Sequence, residues 1–291
     1  MDFPGISART RICAVMGDPV EHSLSPRIHN AAFAAAGLDF AYVAFHVTRG
    51  DAARAMAGVR ALGIRGLSVT IPHKLDVIPL LDEVDAAARL IGSVNTIVND
   101  AGALTGYSTD GPGALRALAA AGVDPAGKRV LMLGSGGAAR AVAFALAALD
   151  PRPRLRILGV EAAELARLAA DLRARAGADL EAAALAPESV AAGVKDADII
   201  LHATPVGMAP KTGASLVPPG LIGPRHTVFD AVYTPRETKL LADAKAAGAK
   251  IVPGLGMFVG QAAAQFELWT GRPAPVEVMT RAALSALGGE R

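Results

Sequence analysis

The sequence predicts an α/β fold, in which strands and helices alternate along the chain. Short apolar runs, typical of buried strands, alternate with longer stretches of helical pattern. Several of the helical stretches are followed by a single glycine, a residue at which helices commonly end. One apolar run leads directly into a glycine-rich turn and a further helix, which is typical of a doubly wound parallel sheet.

The N-terminal part begins with a strand predicted at residues 11–16. A helix is predicted at 26–36, with Ser25 as its N-cap, Pro26 in its first turn and Gly37 as its stop. The other elements predicted in this part are strands at 41–47 and 66–71, helices at 51–62 and 83–91, and a hairpin of strands 94–99 and 104–107.

The middle of the chain has the clearest strand–helix alternation. A strand at 130–133 runs into the glycine-rich turn, and the apolar helix 140–149 follows. The sequence therefore predicts a doubly wound parallel sheet between about residues 111 and 253. Its other elements are helices at 112–121, 162–175 and 238–247, and strands at 155–158, 199–203, 228–231 and 250–252.

Two domains are expected, because a chain of 291 residues is about twice the usual domain length. The C-terminal helices, predicted at 258–269 and 276–286, have no sheet of their own to cover. We therefore expect them to pack on the N-terminal part, so that residues 1–110 and 254–291 form one domain. Residues 111–253 form the second, which is inserted into the first.

The composition excludes several classes of protein. Lysine plus arginine exceed aspartate plus glutamate by 29 − 27 = 2, and no basic block stands out, which excludes nucleic acid as the main partner. No apolar stretch approaches the roughly 18–20 residues of a membrane span. The N-terminus lacks a signal-peptide pattern, and Cys13 is the single cysteine, so a cytoplasmic location is expected.

The glycine-rich turn matches the dinucleotide-binding pattern G-x-G-x-x-A of Rossmann domains. The first glycine allows a tight turn, the second lets the backbone approach a pyrophosphate, and the last position stays small for helix–strand packing. A glycine-rich turn without a ligand is the alternative. The candidate cofactor-binding residues here are Gly134, Ser135, Gly136, Gly137 and Ala138.

Glu161, after the second strand of this sheet, is a candidate for recognising the adenosine ribose. An acidic residue at this position bonds the ribose hydroxyls and favours NAD, whereas an arginine favours NADP. Alternatively, Glu161 only begins the next helix, where a negative charge suits the helix dipole.

Small polar residues gather at the predicted strand ends, where ligands of α/β proteins bind. The motifs are GDPVEHSLSP at 17–26, SVTIPHK at 68–74, GSVNT at 92–96, STDG at 108–111, ATPVGM at 203–208, DAVYTP at 230–235 and GLGM at 254–257. With these motifs the chain closely resembles the shikimate dehydrogenase family over nearly its whole length.

The resemblance implies a reversible reduction of 3-dehydroshikimate to shikimate with NADPH, in the biosynthesis of aromatic amino acids. It implies a small-molecule substrate and a monomer or homodimer. Lys74 and Asp110 correspond to the catalytic pair of the family. The implied substrate-binding residues are Ser23, Ser25, Thr70, Lys74, Asn95, Asp110, Tyr233 and Gln261, and further cofactor contacts are Ala231 and Gly254.

The residues themselves are suited to this chemistry. Hydride transfer to a ketone creates an alkoxide, which needs a nearby cation or acid such as Lys74. A predicted helix start after Pro72 would lower the pKa of Lys74 towards working pH. Asp110 would hold Lys74 and accept a hydrogen bond from a substrate hydroxyl.

Each candidate also has a structural alternative. Lys74 could be a surface lysine, Asp110 and Ser25 could be helix N-caps, Asn95 could be a hairpin residue and Tyr233 could lie in the core. The six histidines show no metal-ligand spacing, so no metal site is expected. We expect His202, where the family more often has asparagine, to be a hydrogen-bonded structural histidine.

The sequence departs from the family pattern at the cofactor. NADP-preferring members carry Asn-Arg-Thr or Asn-Arg-Ser after the second strand of this domain, and the arginine holds the 2′-phosphate. Here residues 159–161 are Gly-Val-Glu, which predicts a weakened NADP preference or use of NAD. The alternatives are an NAD-dependent quinate/shikimate dehydrogenase, although an intact Ser25 favours shikimate, and a non-catalytic nucleotide-sensing protein of the same fold.

Overall fold

The computed structural model of the protein describes residues 5–288. The chain folds into two compact units, the first containing residues up to Thr109 and from Gln261 onward, the second Asp110–Gly260. The sequence placed the second boundary before residue 254, whereas the structure places it inside a helix. The first turns of that helix pack within the second unit, since a Cβ on Gly256 would lie 3.2 Å from the Cβ of Ala117.

The first unit contains a mixed six-stranded sheet in the order β2-β1-β3-β5-β6-β4. Strand β1 pairs in parallel with β2 and β3, β5 is antiparallel to β3 and β6, and β4 is parallel to β6. The strands are β1 Arg11–Gly17, β2 Phe40–His46, β3 Gly66–Val69, β4 Glu83–Val84, β5 Thr96–Asp100 and β6 Ala103–Tyr107.

The first and third helices of this unit start differently from the prediction. Residues 83–84 form β4 instead of helix, and Asp85 caps the helix that follows by accepting from the backbone N–H groups of Ala87 and Ala88. The first helix begins at Ser25 after Leu24, without a side-chain cap, so the predicted Ser25 N-cap is wrong. The helices are α1 Ser25–Ala35, α2 Ala52–Ala61, α3 Ala86–Ile91, the second half of α9 Gly254–Thr270, and α10 Val276–Gly288.

The predicted hairpin of β5 and β6 is confirmed, with Asp100 opposite Ala103 at its end. The two residues between them, Ala101 and Gly102, have φ values of 53° and 98°. Positive φ at both positions defines a type I′ turn, whose twist matches that of the strands.

The second half of α9 and all of α10 belong to the first unit. Trp269 is fully buried, and its indole N–H donates to the carbonyl of Ile97 in β5 at 3.0 Å. The ring lies so close to β3 that a Cβ on Gly66 would come within 2.5 Å of it. Cys13 is buried in β1, and burial raises the pKa of its thiol to about 12.

The second unit contains six parallel strands in the order β12-β11-β10-β7-β8-β9. The order reverses between β10 and β7, as in dinucleotide-binding sheets, so the predicted doubly wound sheet is confirmed. Its strands are β7 Arg129–Leu133, β8 Arg154–Gly159, β9 Leu180–Ala184, β10 Ile199–His202, β11 Thr227–Asp230 and β12 Lys250–Pro253, and its helices are α4 Asp110–Ala120, α5 Gly137–Ala147, α6 Ala162–Ala176, α7 Pro187–Asp196 and α8 Lys239–Ala246.

The sequence prediction omitted β9 and α7. Strand β9 is an edge strand with the sequence LEAAA, and four of its five residues are exposed. Alanine is depleted in strands and gives no period-two apolar pattern, so the sequence signal is weak there. Helix α7 carried a signal that could have been used, since Pro187 stands at its first position.

Candidate active site

The glycine-rich turn connects β7 to α5 in the second unit. A Cβ on Gly134, which has a φ of 118°, would lie 2.7 Å from the carbonyl oxygen of Ala203. A Cβ on Gly136 would have no atom within 4 Å. The first glycine therefore permits close backbone packing, while the second leaves open space where a ligand can approach.

Helix α5 begins at Gly137, earlier than the predicted 140. Its first-turn N–H groups, from Gly137 to Ala139, have no carbonyl partner within the helix and lie at the positive end of its dipole. This arrangement fits the pyrophosphate of a dinucleotide.

The loops after β10, β11 and β12 lie at the same edge of the second unit's sheet. The N–H of Ala231 donates to the carbonyl of His202 at 2.8 Å. A Cβ on Gly254 would lie 2.5 Å from the carbonyl oxygen of Ala231, so only glycine allows this approach. The candidate cofactor residues Ala231 and Gly254 are thus neighbours on the edge where β7 enters the glycine-rich turn.

His202 joins a buried polar network, which confirms that it is a hydrogen-bonded residue. Its Nδ1 donates to Asp230 Oδ1 at 2.8 Å, because an ionised carboxylate can only accept. Its Nε2 lies 2.5 Å from the Thr204 hydroxyl. Asp230 Oδ2 also accepts from Thr238 at 2.5 Å, so the network ties the loop after β10 to the start of α8.

Asp110 and Tyr233, both candidate substrate residues, belong to the second unit. Asp110 is buried and is the first residue of α4, whereas the sequence predicted the helix from 112. The ring of Tyr233 stacks on that of Phe258 at 4.5 Å, and burial raises the pKa of its hydroxyl.

In the first unit, Thr70, Lys74 and Asn95 lie at one edge of the sheet. Thr70 follows β3, and the N–H of Val69 donates to the carbonyl of Asn95 at 2.8 Å. The N–H of Val94 donates to the carbonyl of Lys74 at 2.9 Å. Backbone hydrogen bonds therefore hold the segments of these three residues side by side.

The predicted helix start near Lys74 is wrong. Residues 71–77 form consecutive turns, followed by a short 3-10 turn at Ile78–Leu80. His73 is fully buried beneath this segment, and its Nε2 lies 2.6 Å from the carbonyl oxygen of Val47. Lys74 therefore lies in a segment of turns, and there is no helix start at Pro72 whose dipole could act on its ammonium.

Asn95 is held by the residue that precedes Asp110. Its Oδ1 accepts from the N–H of Thr109 at 2.8 Å, and its Nδ2 donates to the Thr109 hydroxyl at 3.0 Å. Both side chains are buried. Asn95 thus fixes the backbone directly before Asp110, a role that the sequence did not predict.

A chain of polar side chains lies beneath the same edge. The Tyr42 hydroxyl, also in reach of Ser25, donates to the Ser68 hydroxyl at 2.6 Å. Ser68 in turn donates to Gln265 Oε1 at 2.9 Å. Ser25 is therefore buried beside Tyr42, and its N–H donates to the Ser23 hydroxyl at 3.3 Å.

Gln265 was missed by the sequence analysis, although it lies one helical turn after the candidate Gln261. Its Nε2 donates to the Thr96 hydroxyl at 3.0 Å and to the carbonyl of Asn95 at 3.3 Å. Residues four apart share a helix face, so Gln261 projects from the face of α9 that carries Gln265. The spacing of two glutamines on an otherwise apolar helix was the available signal.

His29 is fully buried on α1, and neither ring nitrogen has a hydrogen-bond partner among the residues that the structure describes. Its ring stacks on Tyr42 at 4.5 Å. Burial lowers the pKa of the imidazole from 6.5 to about 3, and the nearby Gln265 amide opposes this in part.

The low pKa of His29 predicts acid sensitivity. Because the unfolded chain binds this proton below pH 6.5 and the folded chain does not, stability is lost as the pH falls from 6.5 towards 3. Between pH 7 and 5 we expect this histidine to account for about 2 kcal/mol of lost unfolding free energy. In urea unfolding at both pH values, the unfolding free energy of the His29→Gln variant should fall by about 2 kcal/mol less than that of the unmodified protein. His22→Gln, at an exposed position, is the control, and an unchanged pH difference in His29→Gln would contradict the prediction.

Residues 5–288 show neither a membrane-spanning helix nor a metal-binding cluster. No helix there is long and apolar enough to cross a membrane. That part of the chain also contains no group of three or more histidine, cysteine or acidic residues arranged to hold a metal ion.

The fold and the site together define a class of protein. It is an α/β protein in which one unit has a sheet of the dinucleotide-binding type, and the other unit has a mixed sheet that carries a lysine and several hydroxyl side chains at its edge. Comparisons with known proteins narrow this class. The model of the shikimate dehydrogenase substrate binding domain matches residues 15–97, and that of the shikimate 5'-dehydrogenase C-terminal domain matches 254–284.

Whole-chain comparisons agree with the domain matches. Shikimate dehydrogenase (NADP(+)) of Moorella thermoacetica is 49% identical over 97% of this chain and 96% of its own length. A crystal structure of a shikimate dehydrogenase in complex with NADP+ matches with a TM-score of 0.91 and 38% identity, over 97% of this chain and 98% of the other. Shikimate 5-dehydrogenase of Listeria monocytogenes, in complex with shikimate and NAD, gives a TM-score of 0.88 and 36% identity, over 95% and 97%.

The chain therefore belongs to the shikimate dehydrogenase family, as its motifs indicated. It is an NAD(P)-dependent oxidoreductase of the class that acts on CH–OH groups.

Proposed function

We propose that this protein catalyses the reversible NAD(P)-linked interconversion of 3-dehydroshikimate and shikimate, in the cytoplasm. One observation carries the proposal: backbone hydrogen bonds hold the segments of Lys74 and Asn95 side by side at the edge of the first unit's sheet. The chain that carries these residues belongs to the shikimate dehydrogenase family. Its relatives include shikimate dehydrogenases crystallised with NADP+ and with shikimate and NAD.

The nicotinamide cofactor, when bound, supplies or accepts the hydride. The open space at Gly136 and the first turn of α5 fit its pyrophosphate, and we propose that Gly134 to Ala138 hold it there. Ala231 and Gly254, at the same edge, are proposed to contact the rest of the cofactor.

Lys74 and Asp110 are proposed to act on the same substrate as an acid/base pair. The Lys74 ammonium donates a proton to the oxygen that gains negative charge when the ketone is reduced, and it takes that proton back in the reverse direction. Asp110, as a carboxylate, accepts a hydrogen bond from a neighbouring substrate hydroxyl and stabilises the ammonium.

The remaining candidates are proposed to orient the substrate. Ser23 and Ser25 are proposed to bind the carboxylate of the substrate. The Ser25 side chain contacts Tyr42, and the Ser25 N–H donates to the Ser23 hydroxyl, so the N–H and the Ser23 hydroxyl lie together at the start of α1. Hydroxyl groups of the substrate contact four further residues, Thr70, Asn95, Tyr233 and Gln261. A monomer or homodimer suffices, since every proposed residue comes from one chain.

The cofactor is proposed to be NAD in preference to NADP. Residues 159–161, at the end of β8, are Gly-Val-Glu and include no basic side chain. Glu161 is exposed at the N-cap position of α6 without a capping hydrogen bond. Arginine is the residue suited to bidentate binding of a 2′-phosphate, and it is missing from this stretch.

A four-way assay tests the proposed function. Shikimate and quinate are each offered with NAD+ and with NADP+, and formation of reduced nicotinamide is followed by absorbance. We expect the highest kcat/KM with shikimate and NAD+. A large advantage of NADP+ would contradict the cofactor proposal, and faster turnover of quinate would favour a quinate/shikimate dehydrogenase. Nucleotide binding without any turnover would indicate the non-catalytic alternative.

A further inference from the structure

We propose that Gln265 is a positioning residue for the substrate, which sets the orientation of the Asn95 side chain through Thr96. The inference rests on the proposed function in one respect, namely that Asn95 contacts a hydroxyl group of the substrate. Gln265 lies on the half of α9 that belongs to the first unit, as do Asn95 and Thr96. In this role it acts through Asn95 and does not itself touch the substrate.

Gln265 bridges two neighbouring strands of the first unit's sheet. Ser68 in β3 lies opposite Thr96 in β5 in the antiparallel register. The Gln265 amide contacts both side chains, since its Oε1 accepts from Ser68 at 2.9 Å and its Nε2 donates to the Thr96 hydroxyl at 3.0 Å. Because all three residues are buried, these hydrogen bonds are shielded from water.

The orientation of the Gln265 amide follows from its partners. Its Nε2 also lies 3.3 Å from the carbonyl oxygen of Asn95, and a carbonyl oxygen can only accept a hydrogen bond. The amide nitrogen therefore faces β5, and the amide oxygen faces Ser68. The Thr96 hydroxyl accepts from this nitrogen and has one proton of its own to donate.

The Thr96 hydroxyl donates its proton to the Asn95 amide. It lies 2.8 Å from Asn95 Oδ1, an acceptor. The same oxygen accepts from the N–H of Thr109 at 2.8 Å, so two donors converge on it. A flipped Asn95 amide would turn its NH2 group towards both donors. Thr96, held by Gln265, thus adds a second donor that fixes which way the Asn95 amide faces.

The same chain of hydrogen bonds reaches the proposed carboxylate-binding residues at the start of α1. The Tyr42 hydroxyl donates to Ser68 at 2.6 Å and is also within reach of Ser25. The protons of the chain all point from Tyr42 towards Asn95, and hydrogen bonds aligned in this way strengthen one another. Gln265 is the link in the middle of the chain, so its loss separates the two ends.

The first test replaces Gln265 with methionine, an unbranched side chain of similar length without an amide. We expect KM for shikimate to rise about fivefold, a typical effect of losing one hydrogen bond. Because Asn95 would hold the substrate equally before and in the transition state, kcat should stay within about twofold. Thr96→Val, which removes only the intermediate hydroxyl, should give the same result in steady-state kinetics.

A double variant shows whether Gln265 acts through Thr96. Gln265→Met combined with Thr96→Val should raise KM by about the same factor as either change alone, since residues of one network are not additive. Phe266→Leu is the matched control, because Phe266 is the next residue on α9, is fully buried and stacks on Phe33 outside the chain. It should lower the unfolding midpoint and leave KM within about twofold.

Amide hydrogen exchange of Thr109 gives a readout that needs no substrate. Its N–H donates to Asn95 Oδ1, so in Gln265→Met its exchange should become about fivefold faster relative to the amides of β5. Phe266→Leu should leave this ratio unchanged.

An unchanged KM in Gln265→Met, or additive effects in the double variant, would overturn the positioning role. A protein that did not turn over shikimate at all would instead show that the proposed function is wrong. In that case the exchange ratio of Thr109 still decides whether Gln265 orients Asn95, and an unchanged ratio would overturn that as well.

Discussion

Replacing Lys74 with alanine is expected to lower kcat for shikimate oxidation by about 10³-fold, within the range of general acid–base catalysis. The ammonium is the proposed proton donor and acceptor for the reacting oxygen. The turn that carries Lys74 includes the buried His73, whose Nε2 lies 2.6 Å from the carbonyl oxygen of Val47, so we expect its backbone to tolerate the substitution. Steady-state kinetics measures the effect. Because the interaction forms mainly in the transition state, kcat should fall far more than KM rises.

Two controls make this result specific. Lys128→Ala removes an exposed lysine at the opposite end of β7 from the glycine-rich turn, and its kcat should stay within about twofold of the unmodified value, as is usual for such surface changes. Nucleotide affinity of Lys74→Ala, measured by titration without substrate, should be unchanged. Turnover retained at more than about a tenth of the original kcat would contradict the proposed role, since losing a general acid costs at least about 10².

The fold was largely predictable because local signals carried it. The doubly wound order depends on apolar strands, helix stops and the glycine-rich turn, each of which is visible within a few residues of sequence. The prediction missed α7 and also β9, where alanines give no strand pattern, and it placed residues 83–84 in a helix although they pair with β6. Tertiary pairing overrode local propensity at those places.

The candidate site was predictable in its residue types but not in its supporting contacts. Ser25 and Pro26 give a good capping signal, yet the Ser25 side chain is buried beside Tyr42 from a neighbouring strand. Ser68 meets Gln265, which is 197 residues away in the chain, and no sequence period relates the two. The distance after the glycine-rich turn indicates Glu161, whereas the hydrogen bond from the Ser135 hydroxyl to Glu164 Oε1 at 2.7 Å forms only in the folded unit.

Replacing Asp110 with asparagine is expected to lower kcat/KM for shikimate by about 10²-fold, with KM raised and kcat lowered together. A hydrogen bond to a charged group contributes about 1.5–3 kcal/mol, and about 1.4 kcal/mol corresponds to a factor of ten. The proposed carboxylate contact exists both in the bound substrate and in the transition state, so ground-state binding is lost as well. This split distinguishes Asp110 from Lys74, whose loss should act mainly on kcat.

The asparagine side chain of Asp110→Asn is nearly the same size as the aspartate side chain, so the buried start of α4 should keep its packing. Asp124→Asn is the matched control, an exposed aspartate of the same unit whose carboxylate accepts from the N–H of Ala126 at 2.9 Å. If Asp110 served only to begin α4, Asp110→Asn would lower the unfolding midpoint without changing KM, while Asp124→Asn should leave KM and kcat within about twofold of the unmodified values in either case. An Asp110→Asn enzyme with unchanged KM and kcat would contradict the proposed role, because an amide lacks the negative charge on which that role depends.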